Sequence, residues 1–278
     1  MAGEQGTTVA ELLRRLEEGV RGLTDSDAWR SYLQVQARFH HYSIGNVLLM
    51  LAQRPQGLTR AAGFHTWLSL GRHVRKGERG LRILAPVTGR RHDEEDDQAP
   101  RTVLRWRSVV VFDYSQTEGA ELPPHPCQEL TTDTERGRWL CARLLELART
   151  HGTDVREDMA GLGSARGVYV PGVNAIGLAP GLAADQKAKT LCHELAHALL
   201  GHGSTGRPRQ EEEAEAEGTA FVVGAWAGLD TSGYSFGYIA DWAGRKDGPA
   251  LLKRVGGNIQ RTAAAIIDGL APQARRTA

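Results

Sequence analysis

The sequence predicts an α+β protein of two domains, a mixed α/β N-terminal domain and a helix-rich C-terminal domain. Three observations carry this. Two β-branched runs, 81–87 (LRILAPV) and 103–113 (VLRWRSVVVFD), follow a set of helical segments. A stretch with three prolines and a glycine, 119–130 (GAELPPHPCQEL), then interrupts the chain. Beyond it, apolar residues recur with helical spacing over 184–200 and again over 209–227. The domains are accordingly placed at 1–122 and 131–250, with 251–278 a C-terminal helix and tail.

The elements follow in order. Thr8 and Glu11 fit a capping box ahead of the apolar set Val9, Leu12, Leu13 and Leu16, so a first helix starts there. Ser26 is the expected cap of a second helix, which turns Trp29, Leu33 and Phe39 to one face. Ser43 caps a third, Ile44 to Gln53, and Pro55 stops it. The two strands form a hairpin whose tip is the charged stretch 90–100 (RRHDEEDDQAP). In the second domain a helix spans Thr134 to Arg149, and 167–178 (GVYVPGVNAIGL) reads as two short strands around a Pro-Gly turn. A helix from Ala184 to Leu200 ends at Gly201, and another runs from Arg209 to Ala227. Residues 174–178 are expected to be an edge strand able to hold a peptide by strand addition. The tail after Pro272 is polar and expected to fray.

Composition narrows the function classes. Thirty-four Lys and Arg against 33 Asp and Glu leave a formal charge of +1 over 278 residues. That balance excludes nucleic-acid binding through bulk charge alone. With 41% hydrophobic and 24% charged residues the chain is globular rather than disordered. Cys127, Cys141 and Cys192 are an odd, sparse set, which points to a reducing compartment rather than a disulfide-stapled secreted domain. No apolar run reaches the ~18 residues of a membrane helix, and the N-terminus lacks a signal-peptide core. The expectation is a soluble, cytoplasmic protein with no membrane partner.

The strongest chemical signal is His193-Glu194-Leu195-Ala196-His197. On a helix, positions i and i+4 share one face, so His193 and His197 can aim ring nitrogens at a single metal ion, with Glu194 beside them as general base. Leu191, Leu195, Ala198 and Leu199 supply an apolar face that lets the helix be buried. The predicted cofactor is Zn2+, which needs a third protein ligand and an open fourth position for catalysis. The Glu-rich start of the next helix offers Glu213 and Glu217, one turn apart. Glu213 is assigned to zinc and Glu217 to orienting a bound histidine, the reverse assignment staying open. Glu211 and Glu212 read as a solvated helix start, and Glu215 points elsewhere on the helix. His202, past the helix stop, is another possible ligand but reads better as a loop or supporting residue, and Cys192 reads as core. Glu194 would take a proton from the attacking water and return it to a leaving amine. Tyr234 and Tyr238 are candidates to stabilise an oxyanion, with core packing the stronger reading.

A second signal lies in the first half. Residues 54–91 hold nine Arg and Lys, among them Arg72, Arg75, Lys76, Arg79 and Arg82, against one acid, Glu78. Tyr42, Phe64, His65, Trp67 and Trp106 lie in or around this window. Cations that track phosphates and rings that stack on bases suit single-stranded nucleic acid. The competing reading is a solvated basic face with Phe64 and Trp67 in the core.

These residues together resemble a known family. YSIGNVLLMLAQRP (Tyr42–Pro55), GFHTWLSLGRHVRKGERGLRILAPV (Gly63–Val87) and VVVFDYSQTEG (Val109–Gly119) resemble the N-terminal domain of ArdC-type antirestriction proteins. From HELAH through the Glu-rich helix the chain is similar to the ArdC metallopeptidase domain and to ImmA/IrrE-type zinc peptidases. The resemblance covers roughly residues 25 to 245. It implies a single-stranded-DNA-binding domain followed by a zincin-like metallopeptidase domain, in a protein that shields mobile elements from host restriction. It maps His193, Glu194 and His197 onto the HExxH motif and Glu213 or Glu217 onto the downstream carboxylate. Tyr42, Ser43, Asn46, Trp67, Arg75, Lys76 and Gly77 map onto the N-terminal pattern. The candidate DNA-binding residues are therefore Tyr42, Asn46, Trp67, Arg72, Arg75, Lys76, Arg79 and Arg82. Two departures stand out: three alternating glutamates, Glu213, Glu215 and Glu217, blur the third ligand, and the tip at 91–98 is acidic. Two alternatives accompany the leading reading. One is a DNA-binding protein with a purely structural zinc; the other is a regulatory peptidase that cleaves a repressor protein.

Overall fold

The computed structural model describes residues 8–23, 25–89, 102–122, 133–204, 206–231, 234, 236, 239, 242 and 245–270. The acidic tip at 91–98, Cys127, Tyr238 and the tail after Pro272 lie outside them. The chain divides into two compact units. One comprises Met1–Gly22 and Gly45–Leu122, the other Leu23–Ile44 and Pro123–Ala278.

The first unit builds on α1 (Val9–Arg21), most of α3 (Ile44–Gln53) and α4 (Phe64–Ser69). The Thr8 side chain accepts from Glu11 N and so caps α1. Its sheet has the order β1-β4-β3, with β1 (Ala61–Ala62), β3 (Leu81–Gly89) and β4 (Thr102–Asp113) antiparallel. A second ribbon pairs β2 (Arg72–Val74) with β5 (Thr117–Gly119). Leu12, Leu16, Val47, Leu49, Met50, Leu81, Ile83 and Val111 are buried and form its core. The outer edge of β3 is closed by two amides of α3. Asn46 exchanges two hydrogen bonds of 2.9 Å with the Leu84 backbone, and Gln53 pairs likewise with Arg82 at 2.8 and 2.9 Å.

The second unit holds α2 (Ser26–Arg38), α5 (Asp133–Thr150), α6 (Ala184–Leu200), α7 (Arg209–Trp226) and α8 (Gly248–Leu270). The cap of α2 is Asp25, whose side chain accepts from Asp27 N and Ala28 N, and not the expected Ser26. A carboxylate is the better acceptor for those unpaired amides. A three-stranded sheet has the order β6-β8-β7, from β6 (Asp154–Arg156), β7 (Gly167–Val170) and β8 (Ala175–Leu178). β6 is parallel to β8 and β7 antiparallel to it. The expectation that 174–178 is an edge strand is therefore corrected. β8 is central, every residue of it buried, because the unforeseen β6 covers its far side. The edges are β6 and β7, of which β7 lines the cleft described below. Helix α6 packs on α5, α7, β7 and β8, so its central residues Leu191, Cys192, Leu195 and Ala196 are buried. No helix among the described residues is long and apolar enough to cross a membrane.

Candidate metal centre

Helix α6 continues without interruption through His193 and His197 and ends at Gly201, in the left-handed conformation (φ 65°) that glycine adopts without strain. The two rings share one face, with centroids 4.8 Å apart. Helix α7 packs against α6 and brings Glu213 and Glu217 to that face. His193 Nε2 and His197 Nε2 are 3.0 Å apart, and Glu213 Oε2 lies 3.4 Å from the first and 3.7 Å from the second. Glu217 Oε2 meets the other nitrogen of His193, Nδ1, at 3.3 Å. The Nδ1 of His197 lies 2.8 Å from His202 Nδ1.

The donor set fits a divalent cation. Zinc bonds of ~2.0–2.1 Å in a tetrahedron place neighbouring ligand atoms ~3.3 Å apart. The observed triangle, 3.0, 3.4 and 3.7 Å, straddles that value. Electrostatics point the same way. Burial opposes a charge on His193, but the Glu213 and Glu217 carboxylates outweigh it and raise its pKa to about 9. The neighbouring His193 and His197 rings hold Glu213 far below the usual carboxylate range, against the effect of burial. Groups that draw a proton this strongly draw a metal ion by the same field.

Glu194 projects from the same helix into a cleft of about 500 Å³ lined by Gly167, Tyr169, His193, His197, Arg209 and Glu213, among others. Burial raises its pKa against the pull of His193 and His197, and the Tyr169 backbone N–H donates to it. Edge strand β7 approaches closely because residue 167 is glycine. A Cβ there would stand 2.5 Å from Thr190 Cγ2 and 3.0 Å from Glu194 Oε1.

Behind this face is a residue that sequence reasoning passed over. Glu215 faces the interior, fully buried, and accepts from Arg207, Asn258 and a His202 ring nitrogen. Burial would raise its pKa, but those hydrogen bonds outweigh it and hold it at about 2. The alternating spacing of Glu213, Glu215 and Glu217 carried the signal: one helix with acids two residues apart presents them to opposite sides. Tyr234 is buried against Phe221, with Lys189 Nζ over its ring at 3.5 Å. It does not line the cleft. Cys192 is buried, which pushes its thiol pKa far up.

The N-terminal candidates separate into two groups. Trp67 is buried and donates its indole N–H to Phe112 O at 2.9 Å. Arg72 is buried, bonded to Thr117 and to the Gly119 and Ala120 carbonyls, with its guanidinium over the Tyr114 ring. Asn46 serves the β3 edge. Tyr42 packs in the second unit beside Phe39. Lys76 and Arg79 are exposed, and Arg75 is exposed but held by Glu78 and the Ser115 carbonyl. In the β3–β4 register Arg82 faces Val110 and Pro86 faces Trp106, so these four share one face of the sheet. Trp106 is 47% exposed on it.

An HExxH helix crossed by a glutamate-bearing helix, beside a sheet edge, defines a protein of the metallopeptidase-like class. Residues 5–115 match the family described as the N-terminal domain of anti-restriction factor ArdC, and residues 148–231 match the IrrE N-terminal-like domain of the M78 peptidases. The chain thus joins a domain that matches the ArdC N-terminal domain to one that matches the IrrE-like, peptidase-like domain. It is similar to the crystal structure of antirestriction ArdC protein from the R388 plasmid in its metal-free form, with a TM-score of 0.50 and 22% identity over 83% of this chain and 85% of that one. The Mn(II)-bound structure of the R388 protein is also similar, with a TM-score of 0.48 and 22% identity over 84% of this chain and 86% of that one. An uncharacterised protein of Bacillus anthracis is 26% identical over 74% of this chain and 41% of its own length. One of Sinorhizobium fredii (strain NBRC 101917 / NGR234) is 30% identical over 49% of this chain and 43% of its own. The chain thus spans less than half the length of these curated relatives.

Proposed function

We propose that this chain is an antirestriction protein that binds single-stranded DNA through its first domain and hydrolyses peptide bonds with zinc through its second. The observation that carries the enzymatic half is the convergence of His193 Nε2, His197 Nε2 and Glu213 Oε2, with Glu194 in the same cleft. His193, His197 and Glu213 would hold the ion. When bound, zinc supplies Lewis acidity to the scissile carbonyl and to water. Glu194, desolvated and so a stronger base than a surface carboxylate, accepts the proton of the attacking water and passes it to the leaving amine. The β7 edge offers backbone groups to align an extended peptide across the cleft. A structural zinc needs a fourth protein ligand. Among the described residues this cluster provides three, which favours the open, catalytic type.

The DNA-binding half rests on Lys76, Arg79 and Arg82 together with Trp106, an exposed ring on the sheet face that Arg82 shares. Stacking on such a ring and phosphate contacts from such cations are the two components of single-strand binding. The test is Glu194→Gln. This variant binds one zinc per chain and single-stranded DNA as the parent does, and has lost proteolysis of an unfolded protein substrate. Retained proteolysis removes Glu194 as the base; a parent protein that takes up no zinc removes the enzymatic reading.

A further inference from the structure

A second line of groups runs behind the metal-facing nitrogens. His202 is 2% exposed and Glu215 is fully buried. Glu215 receives both arms of the Arg207 guanidinium, at 2.8 and 2.6 Å, and the Asn258 amide at 2.7 Å. Its Oε2 is 3.1 Å from His202 Nε2. His202 Nδ1 is in turn 2.8 Å from His197 Nδ1.

These contacts set the direction of each proton. A carboxylate paired with a guanidinium is ionised and only accepts. His202 therefore donates from Nε2, and as a neutral ring it carries a lone pair on Nδ1. His197 must then donate from Nδ1. What remains on His197 is a lone pair at Nε2, the nitrogen that faces His193 and Glu213. Glu217 acts on His193 in the same sense, through a single contact at its Nδ1. The two supports differ in kind. Glu217 is part exposed, whereas His202 and Glu215 are buried and anchored on α8 and on the 206–208 segment.

We propose that Glu215, acting through His202, is a positioning residue that fixes the tautomer and ring orientation of His197 toward the metal. This rests on the metal-centre reading above. Its buried charge is retained because Arg207 and Asn258 compensate it, and its hydrogen-bonded link to His197 runs through the imidazole of His202.

The experiment uses the full chain. Zinc affinity is measured by chelator competition for the parent, His202→Phe, His202→Gln and Glu215→Gln, and imidazole ¹⁵N NMR is recorded on the zinc-loaded parent. The expected spectrum has His197 protonated at Nδ1 and bound through Nε2. His202→Phe, which keeps the ring volume and loses both nitrogens, binds zinc ~10–100-fold more weakly, the usual effect of losing a ligand's hydrogen-bond partner. His202→Gln recovers part of the loss, because its amide can accept from His197 and donate to Glu215. If Glu215→Gln fails to fold for want of a partner to Arg207, the His202 variants decide alone. Unchanged affinity in His202→Phe, or His197 protonated at Nε2, overturns the positioning role and leaves the metal centre standing. A parent that binds no zinc overturns both.

Discussion

Exchanging the roles of two glutamates is the sharpest test of the metal centre. Glu213 Oε2 stands 3.4 and 3.7 Å from the two His Nε2 atoms, whereas Glu217 reaches only His193 Nδ1, at 3.3 Å. In Glu213→Ala the site loses one of three donors. Apparent zinc-binding energies of ~10–16 kcal/mol for four-ligand sites amount to about 2.5–4 kcal/mol per ligand. At 1.4 kcal/mol per decade, that is a loss of ~10²–10³ in affinity. Glu217→Ala removes a hydrogen bond to a ligand and leaves the donor set intact, for a loss of ~10–100-fold. It also frees Lys189, 3.6 Å from Glu217 Oε1, a part-exposed pair that contributes little. Competition with a chromophoric chelator, at fixed pH and with metal-free protein verified by circular dichroism, resolves the two ranges. A larger loss in Glu217→Ala than in Glu213→Ala refutes the assignment and makes Glu217 the ligand.

Further outcomes follow from the same geometry. Asn46→Ala opens the two 2.9 Å bonds to Leu84 and lowers stability by about 2 kcal/mol, seen as a lower urea midpoint; an unchanged midpoint refutes its architectural role. Gly167→Ala pushes β7 off Thr190 and Glu194, so proteolysis falls at least ~10-fold while zinc affinity stays within a few fold; equal losses in both would mean that the whole α6 helix has shifted. Replacing Lys76 and Arg79 by Gln lowers the slope of log affinity for single-stranded DNA against log salt by about 1.4, at ~0.7 per phosphate contact; an unaltered slope removes these two cations from the interface. Trp106→Ala weakens DNA binding by ~1–3 kcal/mol through lost stacking, and no change would leave its exposure unexplained by this function.

Sequence reasoning reached furthest where local spacing alone determines geometry. His193 and His197 share a face because a helix turn separates them, and the structure meets that condition with rings 4.8 Å apart. The α+β class and the helices at 184–200 and 209–226 followed from periodicity for the same reason. It fell short where partners are distant in sequence. β6 is three residues long and carries no pattern, so the central position of β8 was invisible. Glu215 meets Asn258 across 43 residues, so the spacing that turns it away from Glu213 and Glu217 did not reveal what it meets there. In the first domain, similarity to a family pattern singled out Asn46, Trp67 and the Asp-Tyr-Ser-Gln turn without saying what they do. Asp113 is buried and accepts from Thr59, Arg60 and Ser115, while Gln116 caps back onto Asp113 N. These residues hold the scaffold, and a short motif marks an indispensable side chain whether it faces inward or outward.

The amides of Asn46 and Gln53 have a consequence for assembly. At Arg82 and Leu84 the N–H and C=O groups of this bordering strand are already satisfied and cannot template the addition of another chain, so that part of β3 resists the edge-to-edge association that open sheets invite. On β7, which lines the same cleft as Glu194, the Tyr169 N–H is likewise taken, by the Glu194 carboxylate. Both borders thus offer an extended polypeptide fewer open groups than a bare sheet margin would.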